Sequence, residues 1–130
     1  MSTLKVTNIQ DTGGGNSLTT AQIYSGAAKA WVNFNGTSTV AIRASFNVSS
    51  ITDNGTGDYT VNFSSALADA NYAVSFWGQR GDANGSNYGW LGTYDSTSAV
   101  TQTASAYRGV SHNSAGTLLD WRVLCVSIFR

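Results

Sequence analysis

Ser45–Ser65, SFNVSSITDNGTGDYTVNFSS, is the stretch on which the fold turns. Phe46, Val48, Ser50 and Thr52 alternate with Asn47, Ser49 and Ile51. Beyond Asp53-Asn54-Gly55-Thr56-Gly57-Asp58 the alternation resumes, with Tyr59, Val61 and Phe63 on one side and Thr60, Asn62 and Ser64 on the other. A period of two matches a pleated strand, whose successive side chains point to opposite faces. Asn-Gly accepts the positive φ that a tight turn between two such strands requires. The stretch is expected to form one complete β-hairpin.

Working outward, Thr3–Gln10 alternates Lys5, Thr7 and Ile9 with Leu4, Val6 and Asn8, which predicts a short strand. Asp11–Ser17 holds three consecutive glycines and is the expected hinge. Leu18–Ala30 has the helix-compatible content: Thr19 or Thr20 can cap it, and Ala21, Tyr24 and Ala28 fall at helical spacing. Strand follows strand from there. Ala30–Phe34 comes first, then a turn at Asn35-Gly36 and the strand Val40–Phe46. After the hairpin come Tyr72–Gly78, Tyr88–Tyr94, Val100–Ala106 and Leu118–Phe129. The last is apolar on both faces, with Trp121, Val123 and Cys125 through Phe129 on one and Leu124, Val126 and Ile128 on the other. It should be central or covered on both sides. Short strands separated by Gly, Asn and Asp turns predict an all-β fold, an antiparallel β-sandwich of jelly-roll-like type with a short N-terminal strand and helix. Residues 1–27 are expected to serve attachment or oligomerisation, and residues 28–130 to form the sandwich.

Composition narrows the function. Charged residues are 11% of the 130, against about 25% in an ordinary soluble domain. The seven acids are all Asp and are balanced by seven Lys and Arg. A net charge of zero without a basic stripe argues against nucleic acid as a partner. No apolar run approaches the roughly 18 residues of a membrane-crossing helix, so membrane insertion is not expected. No apolar segment follows the N-terminus to act as a secretory signal. Cys125 is alone, which excludes an internal disulfide and a cysteine metal cluster. With so little charge, solubility rests on Ser, Thr, Asn and Gly, which suits a protein held in an assembly.

Trp77–Tyr94, WGQRGDANGSNYGWLGTY, is the densest mixture of aromatic, amide, Asp and Gly residues. A sugar ring offers a C–H face to an aromatic plane and hydroxyls to paired donors and acceptors. A loop presenting Gln79, Arg80, Asp82, Asn84, Asn87, Tyr88 and Trp90 has that chemistry, and loops on a rigid sheet commonly carry recognition. Trp77 and Trp90 have an alternative as core residues of two strands. Arg80-Gly81-Asp82 reads as an ordinary turn. Asp82–Asn87 lacks the glycine position and the bidentate Glu of a calcium loop.

Catalysis finds little support. His112, in the expected turn Ser111–Gly116, has no nucleophile-elbow serine to serve. The Asp residues sit beside turns, where hydrogen bonding to the backbone accounts for them, rather than as a carboxylate pair across a cleft. No catalytic residue, metal or cofactor is predicted. Arg43 and Arg122 fall inside strands and are expected on an outer face, or reaching an Asp of a neighbouring chain.

One resemblance adds to this reading. Ala28-Lys29-Ala30-Trp31-Val32-Asn33-Phe34-Asn35-Gly36, then Val40-Ala41-Ile42-Arg43 and the Phe46–Phe63 hairpin, resembles a module of bacteriophage tail-fibre and related tail proteins, those of cyanophages among them. Ser2–Val6 with Ile9-Gln10-Asp11 is similar to the stretch preceding that module, and Asp69-Ala70-Asn71-Tyr72 to the turn into its next strand. The likeness spans about Ser2 to Val74; beyond it only the general pattern is similar. It implies a structural virion protein, a homotrimeric tail-fibre tip that contacts a host surface polysaccharide or protein through its loops. Its N-terminal segment would bind other tail or baseplate proteins. The alternative is a tail or baseplate component that does not touch the host.

Overall fold

The structure is a computed structural model that describes residues 2–81, 89–93 and 101–130, with the backbone alone at 89–91 and 93. The N-terminal part is a small hairpin, β1 (Asn8–Gln10) with β2 (Ser17–Thr19), running into helix α1 (Thr20–Gly26). Thr19 is the helix cap. Its side chain accepts from the Gln22 amide at 3.1 Å while Gln22 reaches back to the Thr19 amide at 2.8 Å, a complete capping box. The glycine run forms the turn of this hairpin. Asp11 fixes it by accepting from Gly15 N and Asn16 Nδ2 at 2.9 and 3.0 Å.

The body contains β3 (Ala28–Asn35), β4 (Ala41–Phe46), β5 (Val48–Gly55), β6 (Asp58–Phe63), β7 (Ala73–Gln79), β8 (Gly89–Thr93), β9 (Ala106–Asn113) and β10 (Val123–Phe129). They form two antiparallel four-stranded sheets, ordered β4-β3-β10-β7 and β5-β6-β9-β8. The sheets pack face to face. Ala30, Val32 and Phe34 of β3 and Leu124, Val126 and Ile128 of β10 meet Tyr59, Val61, Phe63 and Tyr107 from the other sheet. Edge-to-face contacts of Phe34 with Tyr59 (5.3 Å) and Phe76 with Tyr107 (6.2 Å) cross the gap, the geometry that aromatic quadrupoles favour. The all-β sandwich expected from period-two patterning is the fold observed.

The deciding stretch is not a single ribbon. Phe46 ends β4 in the first sheet, and Asn47, at φ 53°, carries the chain across to β5 in the second. The hairpin proper is β5–β6. A register shift between Val48 and Ser50 inverts the parity of β5, so Val48 and Ile51 both pack against the core while Ser50 and Thr52 pair with outward-facing positions of β6. Tyr59, Val61 and Phe63 are buried, as their alternation requires.

Three other boundaries move. The last strand begins at Val123 rather than Leu118, and it is central, flanked by β3 and β7. Residues 101–105 contribute one isolated bridge, and the strand instead starts at Ala106 and includes His112, which is therefore not in a turn. Gly109 lies mid-strand because a Cβ there would sit 2.8 Å from Phe76 Cε1 and 2.9 Å from Tyr107 Cε1. The aromatic pair occupies the side chain's place.

Candidate functional site

The strand order brings one end of the first sheet together: the exit of β3, the exit of β7 and the approach to β10. Thr37, Arg80, Gly81, Leu119, Asp120 and Arg122 line a cleft of about 330 Å³ there, near the lower limit of small-ligand sites. Arg80 follows directly from Gln79, the last residue of β7, which is exposed on the outer face opposite Val123. The aliphatic stem of Arg122 passes over Gly81, where an added Cβ would lie 2.9 Å from Arg122 Cβ.

Asp120 forms the fixed wall. Its Oδ1 accepts from the Gly57 amide at 2.7 Å and from the Tyr59 hydroxyl at 2.8 Å. Tyr59 also lies 2.8 Å from the Gly36 carbonyl, so the carboxylate is tied to both sheets. Burial, reinforced by the Asp120 carboxylate, pushes the Tyr59 phenol far above its ordinary range and keeps it a donor. Nearby Trp121 is buried, and its indole N–H finds no acceptor among the described residues.

Two guanidinium groups, one oriented carboxylate and one threonine around an open cleft can receive both hydroxyls and an acidic substituent. Guanidinium forks suit carboxylate or phosphate oxygens, whereas carboxylate and hydroxyl oxygens accept from sugar hydroxyls. Among the described residues, no group of three His, Cys, Asp or Glu side chains is placed to hold a metal ion.

Of the residues predicted from sequence, Arg80 lines this cleft, whereas Gln79, one position earlier, sits on the outer face of β7 and is not part of the lining. Asp82, Asn84, Asn87 and Tyr88 fall outside the described residues, and Trp90 is described only by its backbone, paired with His112 in β8–β9. Trp77 is not a core residue: it stands 60% exposed on the outer face of β7. Thr37, Leu119 and Asp120 were not legible as site residues, because they come from segments 39 or more positions away from Arg80 that only the sheet pairing joins. Arg43 does not project free from its strand. It donates to the carbonyls of Phe34 (3.0 Å) and Arg122 (2.6 Å), clamping β4 to the cleft's approach segment.

No family model, curated protein or solved structure matches the chain. The fold defines it as an antiparallel β-sandwich with an N-terminal hairpin–helix extension, and no helix among the described residues is long and apolar enough to cross a membrane.

Proposed function

We propose that this chain is a non-enzymatic structural subunit of a bacteriophage tail, a homotrimeric fibre tip that attaches the virion to a host cell-surface glycan. The observation that carries this reading is the open cleft lined by Arg80, Arg122, Asp120 and Thr37, with Gln79 exposed on the adjoining outer face of β7. The sequence resemblance to tail-fibre modules supplies the biological setting. In this reading the sandwich is a rigid mount, and specificity lies at one end of it.

The N-terminal unit favours a second element of the same role, attachment to another tail or baseplate protein. Leu4, Val6, Ile9, Leu18, Ile23 and Tyr24 are all exposed, and Ile9 and Leu18 are direct cross-strand partners. A lone two-stranded hairpin is marginal in water, so such a unit gains from a protein surface that covers it.

Adsorption of the purified protein to intact host cells and to immobilised bacterial polysaccharides is the test. Binding abolished by Arg80→Ala or Gln79→Ala, with the fold retained, supports host recognition. Absence of adsorption together with tight binding to a baseplate protein assigns the chain to the structural alternative.

A further inference from the structure

The two outer faces of the sandwich are dressed differently. On the β5-β6-β9-β8 sheet the described outward positions include Ser50, Thr52, Thr60, Asn62 and Arg108, which pairs with the buried Asp58. They bond to one another: Asn62 Nδ2 reaches Thr52 Oγ1 at 2.9 Å, and Arg108 forks onto Asp58 at 2.9 and 2.5 Å. That surface is built for water.

The outer face of β4-β3-β10-β7 is not. Phe46 pairs with Trp31 across β4–β3, Trp77 stands opposite Cys125 across β7–β10, and Phe129 closes one end of the central strand. These four aromatic side chains are 55%, 39%, 60% and 36% exposed. Small residues lie between them, with Ala44, Ser75 and Ser127 beside the rings, so ridges adjoin hollows. The cations at the rim are engaged: Arg43 caps carbonyls, and Lys29 donates to the Tyr24 carbonyl and covers the Tyr24 ring at 3.5 Å.

We infer that this face is buried between copies of the same chain. The exposed fractions add to nearly two whole aromatic side chains, about 300–500 Å² per copy. Two such surfaces supply roughly 600–1,000 Å² from the rings alone, most of the about 1,200 Å² at which specific interfaces begin. The remainder comes from Ala44, Val123 and Cys125 around them. A patch of this size matches the largest apolar patch of a typical monomer, which is often an interaction site. The inference uses the sheet face and not the cleft, so it stands or falls separately from glycan binding.

Cys125, the sole cysteine, is half-buried in the middle of this face and reports on it. The experiment follows its alkylation by iodoacetamide in the full chain from nanomolar to micromolar protein, with sedimentation velocity in parallel. An oligomer at micromolar concentration, with alkylation slowed about tenfold or more, is expected. Trp77→Glu and Phe46→Glu should each give a monomer with restored alkylation and an unchanged circular dichroism spectrum, whereas Thr60→Glu on the opposite face should leave the oligomer intact. Three results overturn the inference: a monomer at high micromolar concentration, an oligomer whose Cys125 reacts as fast as in the monomer, and a monomer protected by polysaccharide alone. Arg80→Ala should leave the oligomer unchanged whether or not it affects adsorption.

Discussion

The Tyr59 hydroxyl lies 2.8 Å from the Asp120 carboxylate, and this contact joins β6 of one sheet to the segment that enters β10 of the other. The same hydroxyl lies 2.8 Å from the Gly36 carbonyl, and Tyr59 is 1% exposed. Tyr59→Phe removes the one proton that the Asp120 carboxylate and the Gly36 carbonyl share, leaving Asp120 Oδ1 with the Gly57 amide alone. A loss of about 1–3 kcal/mol is expected, read as a fall of roughly 3–10 °C in Tm. The sign with pH follows from the raised phenol. The folded pKa exceeds the ordinary 10.0, so the contribution is complete below pH 10 and fades as pH rises and the unfolded tyrosine ionises. Wild-type Tm should therefore decline above pH 10, and Tyr59→Phe should flatten that decline.

Asn47 is the corner between the sheets, and two properties fit it there. It tolerates φ 53°, and its side chain makes three bonds: Nδ2 to the Lys29 and Ser65 carbonyls at 3.1 Å each, and Oδ1 from the Ser65 amide at 2.8 Å. Asn47→Gly keeps the backbone freedom and loses the bonds; Asn47→Ala loses both. Urea unfolding should place Asn47→Ala lower in stability by about 1 kcal/mol or more relative to Asn47→Gly. Equal midpoints would mean that backbone strain contributes nothing at the corner.

How much of this was legible depends on how local each signal is. Tyr59, Val61 and Phe63 announced a buried face by alternation alone, and Thr19 or Thr20 marked the helix start, of which the structure selects Thr19. The parity of β5 was not legible, because the bulge near Ser49 arises from pairing with Asn62 and Phe63 rather than from anything in its own stretch. The position of β9 was not legible in its own stretch, because Gly109 lies mid-strand only to make room for a ring contributed by β7. Trp77 could not be told from a core tryptophan, since the alternation of β7 does not say which face meets the second sheet. The cleft depends on long-range pairing throughout. Arg80 was visible as polar loop chemistry, whereas Asp120 and Thr37 acquire meaning only once β3, β7 and β10 are side by side.

Acid stability should depend on the chain's last residue. Arg130 forks onto Asp69, its Nε donating to Oδ1 at 2.8 Å, and this contact ahead of the Asn71 amide lowers the Asp69 carboxyl to about 2. A folded pKa below the ordinary 3.8 means the contribution is present above that value and is lost as pH falls toward 2. Arg130→Ala should leave Tm at pH 7 little changed, because the pair is exposed at the surface. It should make the acid limb between about pH 4 and pH 2 shallower. An unchanged acid limb would show that the pair does not form in solution.

Gly57 and Gly116 both have positive φ, 68° and 81°, but only one is enclosed. A Cβ at Gly116 meets nothing within 4 Å, so Gly116→Ala carries backbone strain alone, about 1–2 kcal/mol. A Cβ at Gly57 would lie 2.5 Å from the Ser111 carbonyl oxygen, 2.7 Å from the Leu119 amide nitrogen and 2.9 Å from the Leu119 carbonyl oxygen. Those atoms cannot yield cheaply. Ser111 N donates to Gly57 O at 2.8 Å and Leu119 N to Ser111 O at 2.9 Å, so moving one breaks the others. Overpacking adds about 1–3 kcal/mol, and Gly57→Ala should unfold at clearly lower denaturant than Gly116→Ala with the same m-value. Because Gly57 N also donates to Asp120, the variant should weaken the glycan adsorption proposed for the cleft, whereas Gly116→Ala should leave any such adsorption unaltered.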